Sequence, residues 1–175
     1  MSVSESILRR GGADYPSRLL GVRGAPDCLH LRGALVPTER AVAIVGARAA
    51  RQRDVEAAYR LASELARAGI YVVSGGALGV DAAAHRGALD AAHPGRPALT
   101  AAVFGCGLSI AYPARNRSLF EDIYRAGGAL LSEFPDVAQP RAWHFVRRNK
   151  TMAGMTDAVL VVAAGAQSGS LHTAR

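Results

Sequence analysis

Apolar runs of strand length recur along this chain, separated by segments with helical patterning. They are Ala41-Val-Ala-Ile-Val-Gly46, Ile70-Tyr-Val-Val-Ser74, Leu99-Thr-Ala-Ala-Val-Phe104, Ala129-Leu-Leu-Ser132 and the run from Asp157 to Ala163. Continuous apolar runs, rather than alternating ones, mark strands buried on both faces of a parallel sheet. Between them the sequence predicts helices over 55–68, from just after Gly79 to about Ala92, over 116–126, and from about Arg147 to Met155. The first is amphipathic, with Val55, Ala58, Tyr59, Ala62, Leu65 and Ala66 on one face. Strands alternating with helices predict an α/β fold: a Rossmann-like, doubly wound, mostly parallel sheet with helices on both faces. The run 157–163 reads as the clearest buried strand of all.

Residues 1–40 read as a mixed lead-in. Asp14-Tyr15-Pro16 and Ala25-Pro26-Asp27 are turn signals, and Cys28-Leu-His-Leu-Arg-Gly33 alternates like an edge strand at the border of the sheet. Residues 41–175 then form the Rossmann-like domain. A chain of 175 residues, 50% hydrophobic and 20% charged, is long and apolar enough for one real core. The N-terminus lacks a signal-peptide core, and no run approaches the roughly 18 apolar residues of a membrane span, so a cytoplasmic protein without membrane association is expected.

Ligands of doubly wound sheets bind beyond the carboxyl ends of the strands, where this sequence keeps its glycines. The stretch from Ile70 to His85 reads strand, tight loop, helix, with Ser74-Gly75-Gly76-Ala-Leu-Gly79 as the loop. Unpaired N–H groups and the positive end of the helix dipole favour an anion there. The same glycines also suit a plain strand-to-helix turn. The loop lacks the Lys-[Ser/Thr] of a nucleoside triphosphatase, and Gly46-Ala47-Arg48 lacks the Gly-x-Gly-x-x-Gly of a dinucleotide fold, so neither cofactor is expected. Arg48 suits a bidentate phosphate clamp or a solvated loop position. Asp81 suits a helix cap or the orientation of a neighbouring arginine.

Gly105-Cys106-Gly107 and Ser168-Gly169-Ser170 repeat the pattern at other strand ends, as if an extended ligand lay along one groove. The net charge is +7, and Arg141, His144, Arg147, Arg148 and Lys150 follow one another without an acid. With Phe145 and Asn149 among them, they combine stacking with phosphate neutralisation, as single-strand binders do. The alternative is a basic helix start that packs Trp143 and Phe145 into the core. Cys28 and Cys106 read as buried free thiols, and the five histidines lack metal-ligand spacing, so no metal is expected. No serine has a histidine and acid partner visible by spacing.

Six ordered motifs, at 42–48, 74–85, 105–113, 130–135, 143–149 and 168–175, together resemble the DNA-processing protein A (DprA, or Smf) family from about Tyr15 onward. The resemblance implies an extended Rossmann fold that binds single-stranded DNA, forms a homodimer, and in natural transformation protects incoming strands and loads RecA. It places Arg48 on a phosphate-contacting arginine and Gly75, Gly76 and Gly79 on the family's glycine loop. Phe145, Arg147, Arg148 and Asn149 fall on its Phe-x-x-Arg-Asn segment, and Ser168, Gly169, Ser170 and Thr173 on its last loop. Together with Ser74, Gly105, Gly107 and Lys150, these are the expected DNA contacts of a binder without catalytic residues.

Three departures stand out: Leu78 where the family usually has arginine, Ala47 where it has serine, and an end at Arg175 where members continue through another helix and strand. The rival reading is a lysine-decarboxylase-like nucleoside monophosphate phosphoribohydrolase. That group shares the glycine loop but follows it with Pro-Gly-Gly-x-Gly-Thr-x-x-Glu. Here the corresponding stretch, Gly165-Ala-Gln-Ser-Gly-Ser-Leu-His-Thr, has no glutamate.

Overall fold

A computed structural model describes residues 5–36 and 40–164. Strands β1 (Glu5–Arg9), β2 (Cys28–Gly33), β3 (Ala41–Gly46), β4 (Tyr71–Ser74), β5 (Thr100–Phe104), β6 (Ala129–Ser132) and β7 (Ala158–Ala163) form one sheet, ordered β1-β2-β6-β5-β4-β3-β7. The five from β3 to β7 run parallel, and β1 and β2 join antiparallel beyond β6. The mixed, mostly parallel sheet expected from the apolar runs is therefore present. From β3 the chain steps outward through β4, β5 and β6, then returns to the other side of β3 for β7. The strand order thus reverses between β3 and β7, and in doubly wound sheets ligands bind beyond the carboxyl ends of the strands near such a reversal.

Alternation along each strand divides the core between two faces. Ile44, Val72, Ala102, Phe104 and Leu130 meet α1 (Gln52–Arg67), α2 (Val80–Asp90) and α3 (Arg117–Arg125). Val45, Val73, Ala101, Val103 and Leu131 meet Met152 of α4 (Ala142–Gly154) and Leu19 of the lead-in. Helices thus cover both faces.

Two border expectations change. Cys28–Gly33 is not at the edge: β1, which the lead-in reading did not anticipate, pairs outside it from Glu5↔Arg32 to Arg9↔Cys28. Conversely, the 157–163 run is only half-buried in β7, because among the described residues that strand pairs with β3 alone. An apolar run reports what a strand is able to bury, not how many neighbours it has. The lead-in is fastened by Tyr15, whose hydroxyl donates to the Pro26 carbonyl (2.6 Å), so its two turns close on each other. Arg18 grips Asp157 at the start of β7 (2.8 Å), and the same carboxylate accepts from the Ala41 amide (2.7 Å).

On the other face, α1 and α2 cross with their backbones in contact. Gly87 lies against the Tyr59 carbonyl and the Ser63 amide, leaving no room for a Cβ. A glycine inside a helix sacrifices roughly 0.5–1 kcal/mol of helix preference, which close packing offsets here. Gly87→Ala forces the helices apart, and a loss of about 1–3 kcal/mol is expected from overpacking. Urea denaturation of the variant beside the wild type measures it.

Candidate nucleic-acid interface

Arg148 dominates the carboxyl edge of the sheet. It projects from α4 over the ends of β4 and β5, is buried, and donates from Nη1 to the Val103 carbonyl (2.7 Å). Its guanidinium occupies the space a Cβ on Gly75 would need. Beneath it, the buried Asp81 accepts from the amides of Gly75 (3.2 Å) and Ala77 (3.3 Å). Burial raises the Asp81 pKa while the Arg148 charge and the backbone donors pull it back, and burial lowers that of Arg148 while Asp81 counters. The two groups are a mutually compensating buried pair. His85 lies close enough to feel the same charge. Thr100 Oγ1 donates to the Val72 carbonyl and accepts from His85 Nδ1 (2.8 Å), so the ring is the Nδ1–H tautomer. Burial, then Arg148, pushes its pKa down to about 3 and keeps it neutral.

This arrangement alters the expected contacts. Arg148 is buried rather than on the surface: it donates to the β5 carbonyl and feels the Asp81 charge without a direct ion pair. Gly75 and Ala77 give their amides to Asp81, so those two donors of the loop are already satisfied. Ser74 is buried and donates its hydroxyl to the Ile44 carbonyl (2.7 Å), tying β4 to β3. Gly75, Gly76, Gly105 and Gly107 are all buried. A Cβ would meet Phe120 at Gly76, Phe145 at Gly105 and the Asp136 carbonyl at Gly107. Their smallness permits this close internal packing. Gly79 alone stays half-open, in a left-handed conformation (φ 77°) that starts α2 against the Ala47 and Arg48 carbonyls. Asn116, which sequence reasoning passed over, clamps the loop from outside by donating to the Gly76 (2.9 Å) and Ala77 (3.1 Å) carbonyls.

Helix α4 starts at Ala142, five residues before the expected Arg147, and this divides the basic cluster. Phe145, Arg148 and Asn149 share the face turned to the sheet, whereas Trp143, Arg147 and Lys150, at i, i+4 and i+7, are all exposed on the other. Arg147 donates from Nε to Glu133 (2.7 Å). The spacing of the buried His144, Arg148, Thr151 and Met152 carried the signal for this longer helix. It was obscured because one of the four is a charged arginine.

What remains exposed at the carboxyl edge is compact. Arg48, just after β3, is solvent-exposed with its guanidinium carbon 5.9 Å from the Phe145 ring centroid. Arg148 lies 5.8 Å from the same centroid, and the exposed Tyr112 ring lies 5.6 Å away, tilted by 42°. Two rings and one free-facing guanidinium therefore form a rim along the carboxyl edge of the sheet, from Arg48 after β3 to Phe145 over the end of β5. Ser168, Gly169, Ser170 and Thr173 lie outside the described residues. Among the described residues no group of three or more metal-ligating side chains occurs, and no helix is long and apolar enough to cross a membrane. Cys106 is a buried thiol whose pKa burial pushes up to about 11; Cys28 is half-buried, and both are free.

The family described as DNA recombination-mediator protein A matches residues 6–175. The chain belongs to that family. It is 37% identical over 162 residues to protein Smf of Escherichia coli, covering 92% of this chain and 42% of that protein. With DNA processing protein DprA of Bacillus subtilis the identity is 33%, covering 91% and 52%. Among solved structures, DNA processing protein A of Helicobacter pylori, studied for its unique single-stranded DNA binding mode, matches with a TM-score of 0.83 at 30% identity, over 98% of this chain and 75% of that one. The Streptococcus pneumoniae DprA structure also gives 0.83, at 33% identity, over 96% and 57%. The chain thus spans about two-fifths to one-half of the length of these curated relatives, and its core has the family's Rossmann-like fold.

Removing one member of the buried pair strands the other. Arg148→Ala leaves Asp81 as an uncompensated interior carboxylate, and a loss of about 3–5 kcal/mol is expected. Without Arg148 the Asp81 pKa rises further above its unfolded value, so the native state holds the proton more tightly. The penalty is therefore largest at neutral pH and shrinks as the pH falls through the raised folded value. Denaturation curves at several pH values test this, with Arg148→Met/Asp81→Asn expected to recover much of the loss.

Proposed function

We propose that this chain binds single-stranded DNA without catalysing a reaction on it, using the exposed rim of Arg48, Tyr112 and Phe145. The observation that carries the reading is the placement of a solvent-facing guanidinium beside two adjacent rings at the carboxyl edge of the sheet. Unpaired bases stack on rings irrespective of sequence, while a guanidinium takes the phosphate between them. A duplex keeps its bases stacked internally and offers only its backbone. The single-stranded DNA binding studied in the Helicobacter pylori relative, at 30% identity over nearly the whole chain, supports the same reading.

The buried pair supports the rim from within. Arg148 backs the inner side of the Phe145 ring, and Gly105 lets that ring settle onto the end of β5. Ser168, Gly169, Ser170 and Thr173, which follow β7 in sequence, are proposed as further phosphate contacts. Gly79 and Asn149 lie beside the path, whereas Lys150, on the other face of α4, is a more distant expected contact. In the cell, a cytoplasmic homodimer would protect a single strand and pass it to RecA in transformation or recombination.

Fluorescence anisotropy with labelled oligo-dT and duplex DNA tests the reading. Oligo-dT is expected to bind more tightly than duplex, with affinity falling steeply as salt rises. Loss of one phosphate contact in Arg48→Ala should flatten the slope of log K against log salt by about 0.7, and Phe145→Leu should weaken binding by about 1–3 kcal/mol, the worth of one stacked base. No binding at low salt, or a preference for duplex, would refute it. Incubation with AMP is expected to release no adenine; release in proportion to protein would instead mark the phosphoribohydrolase.

A further inference from the structure

From their crossing at Gly87 and Tyr59, the N-terminal halves of α1 and α2 border an open groove of about 680 Å³. That volume lies within the range of nucleotide-sized ligand sites. Val55, Leu78 and Ala83 line it with apolar surface, and Tyr59 forms part of its wall. The Tyr59 hydroxyl donates to Asp90 (2.7 Å), which fixes the ring's position.

Two cations enter the groove, Arg60 from α1 and Arg86 from α2, both exposed. Among the described residues neither has an ion-pair partner, in contrast to Arg18, Arg32, Arg53, Arg125 and Arg147. The one acid in the lining, Glu56, accepts from Gln52 (3.1 Å). The lining therefore carries two exposed guanidinium groups against one carboxylate, Glu56, beside an aromatic ring whose hydroxyl is held by Asp90.

It is also continuous with the rim. Gly79 lines the groove while standing against the Ala47 and Arg48 carbonyls, and the amide of Val80 donates to the Ala47 carbonyl (3.3 Å). Leu78, half-exposed, forms the threshold between the two. We infer that a single strand held at Arg48 and Phe145 continues across Leu78 into the α1–α2 groove, where Arg60 and Arg86 bind its phosphates and the Tyr59 ring receives a base. The apolar Leu78 side chain can underlie a base at the crossing but cannot bind a phosphate. The phosphate contacts are thus displaced one step further along, to the two helix arginines.

This inference rests on the rim being a single-strand site, and oligonucleotide length separates the two. Anisotropy titrations with dT5 and dT20 are compared for the wild type, Arg48→Ala and the double variant Arg60→Ala/Arg86→Ala. Both groove arginines are exposed, and unchanged thermal melting confirms that the double variant is folded. The groove variant is expected to bind dT5 like the wild type but dT20 about tenfold more weakly, with its salt slope lowered by about 0.7 for each guanidinium removed. Arg86→Lys in the Arg60 background should restore part of the loss. An unchanged dT20 isotherm, or equal weakening for both lengths, overturns the groove. If Arg48→Ala leaves dT5 unmoved while the groove variant loses dT20, the groove stands as a strand site and the rim reading fails. If the wild type binds neither oligonucleotide, both fail together.

Discussion

A buried guanidinium facing a buried carboxylate governs the carboxyl edge of this sheet. Neither Arg148 nor Asp81 is tolerable in the interior alone, since each would carry an unscreened charge away from water. Each offsets part of the other's burial cost across the sheet, Arg148 from α4 on one face and Asp81 from α2 on the other. The consequences spread outward: Gly75 has no side chain because Arg148 occupies that space, and the loop amides point inward because Asp81 accepts them. Phe145, one helical turn from Arg148, is thereby held against Gly105 with its ring at the carboxyl edge.

A loop rich in glycine at the end of a parallel strand ordinarily invites a phosphate, because its amides lack partners. In this chain an internal carboxylate takes two of those amides, and the arginine opposite it is an internal counter-ion. Charge available to a polyanion lies instead on side chains around the loop: Arg48 after β3, and the guanidinia of α1 and α2 beyond Leu78. A buried centre bordered by exposed cations suits a strand that is bound along its length. No single phosphate needs to be enclosed.

Much of the architecture was legible because it depends on local pattern. The runs at 41–46, 70–74, 99–104 and 129–132 became parallel strands within a residue or so of the expected bounds, since each is apolar on both faces and stops at glycine or serine. The lead-in was less legible: Glu5–Arg9 is half polar, and only its partner β2 makes it a strand. The half-exposure of β7 was equally hidden, because neighbours are set by topology rather than by hydropathy. At the site, Arg48 and Phe145 stood out by residue type, and both reach the carboxyl edge of the sheet. Arg147 and Arg148 stood out in the same way, yet one pairs with Glu133 and the other is internal.

The sequence by itself determined the α/β class, the order of the parallel strands' elements along the chain, the glycine-marked turns and the family, because these follow from spacing and residue type over short ranges. Tertiary structure alone decided which charges face water. Arg48 and Arg148 are indistinguishable as residues in a string; what separates them is that the fold buries Arg148 near Asp81 and the Val103 carbonyl and leaves Arg48 in solvent. The same holds for Arg60 and Arg86, which lie on two helices of ordinary polarity and meet in one groove only because Gly87 allows those helices to cross in contact.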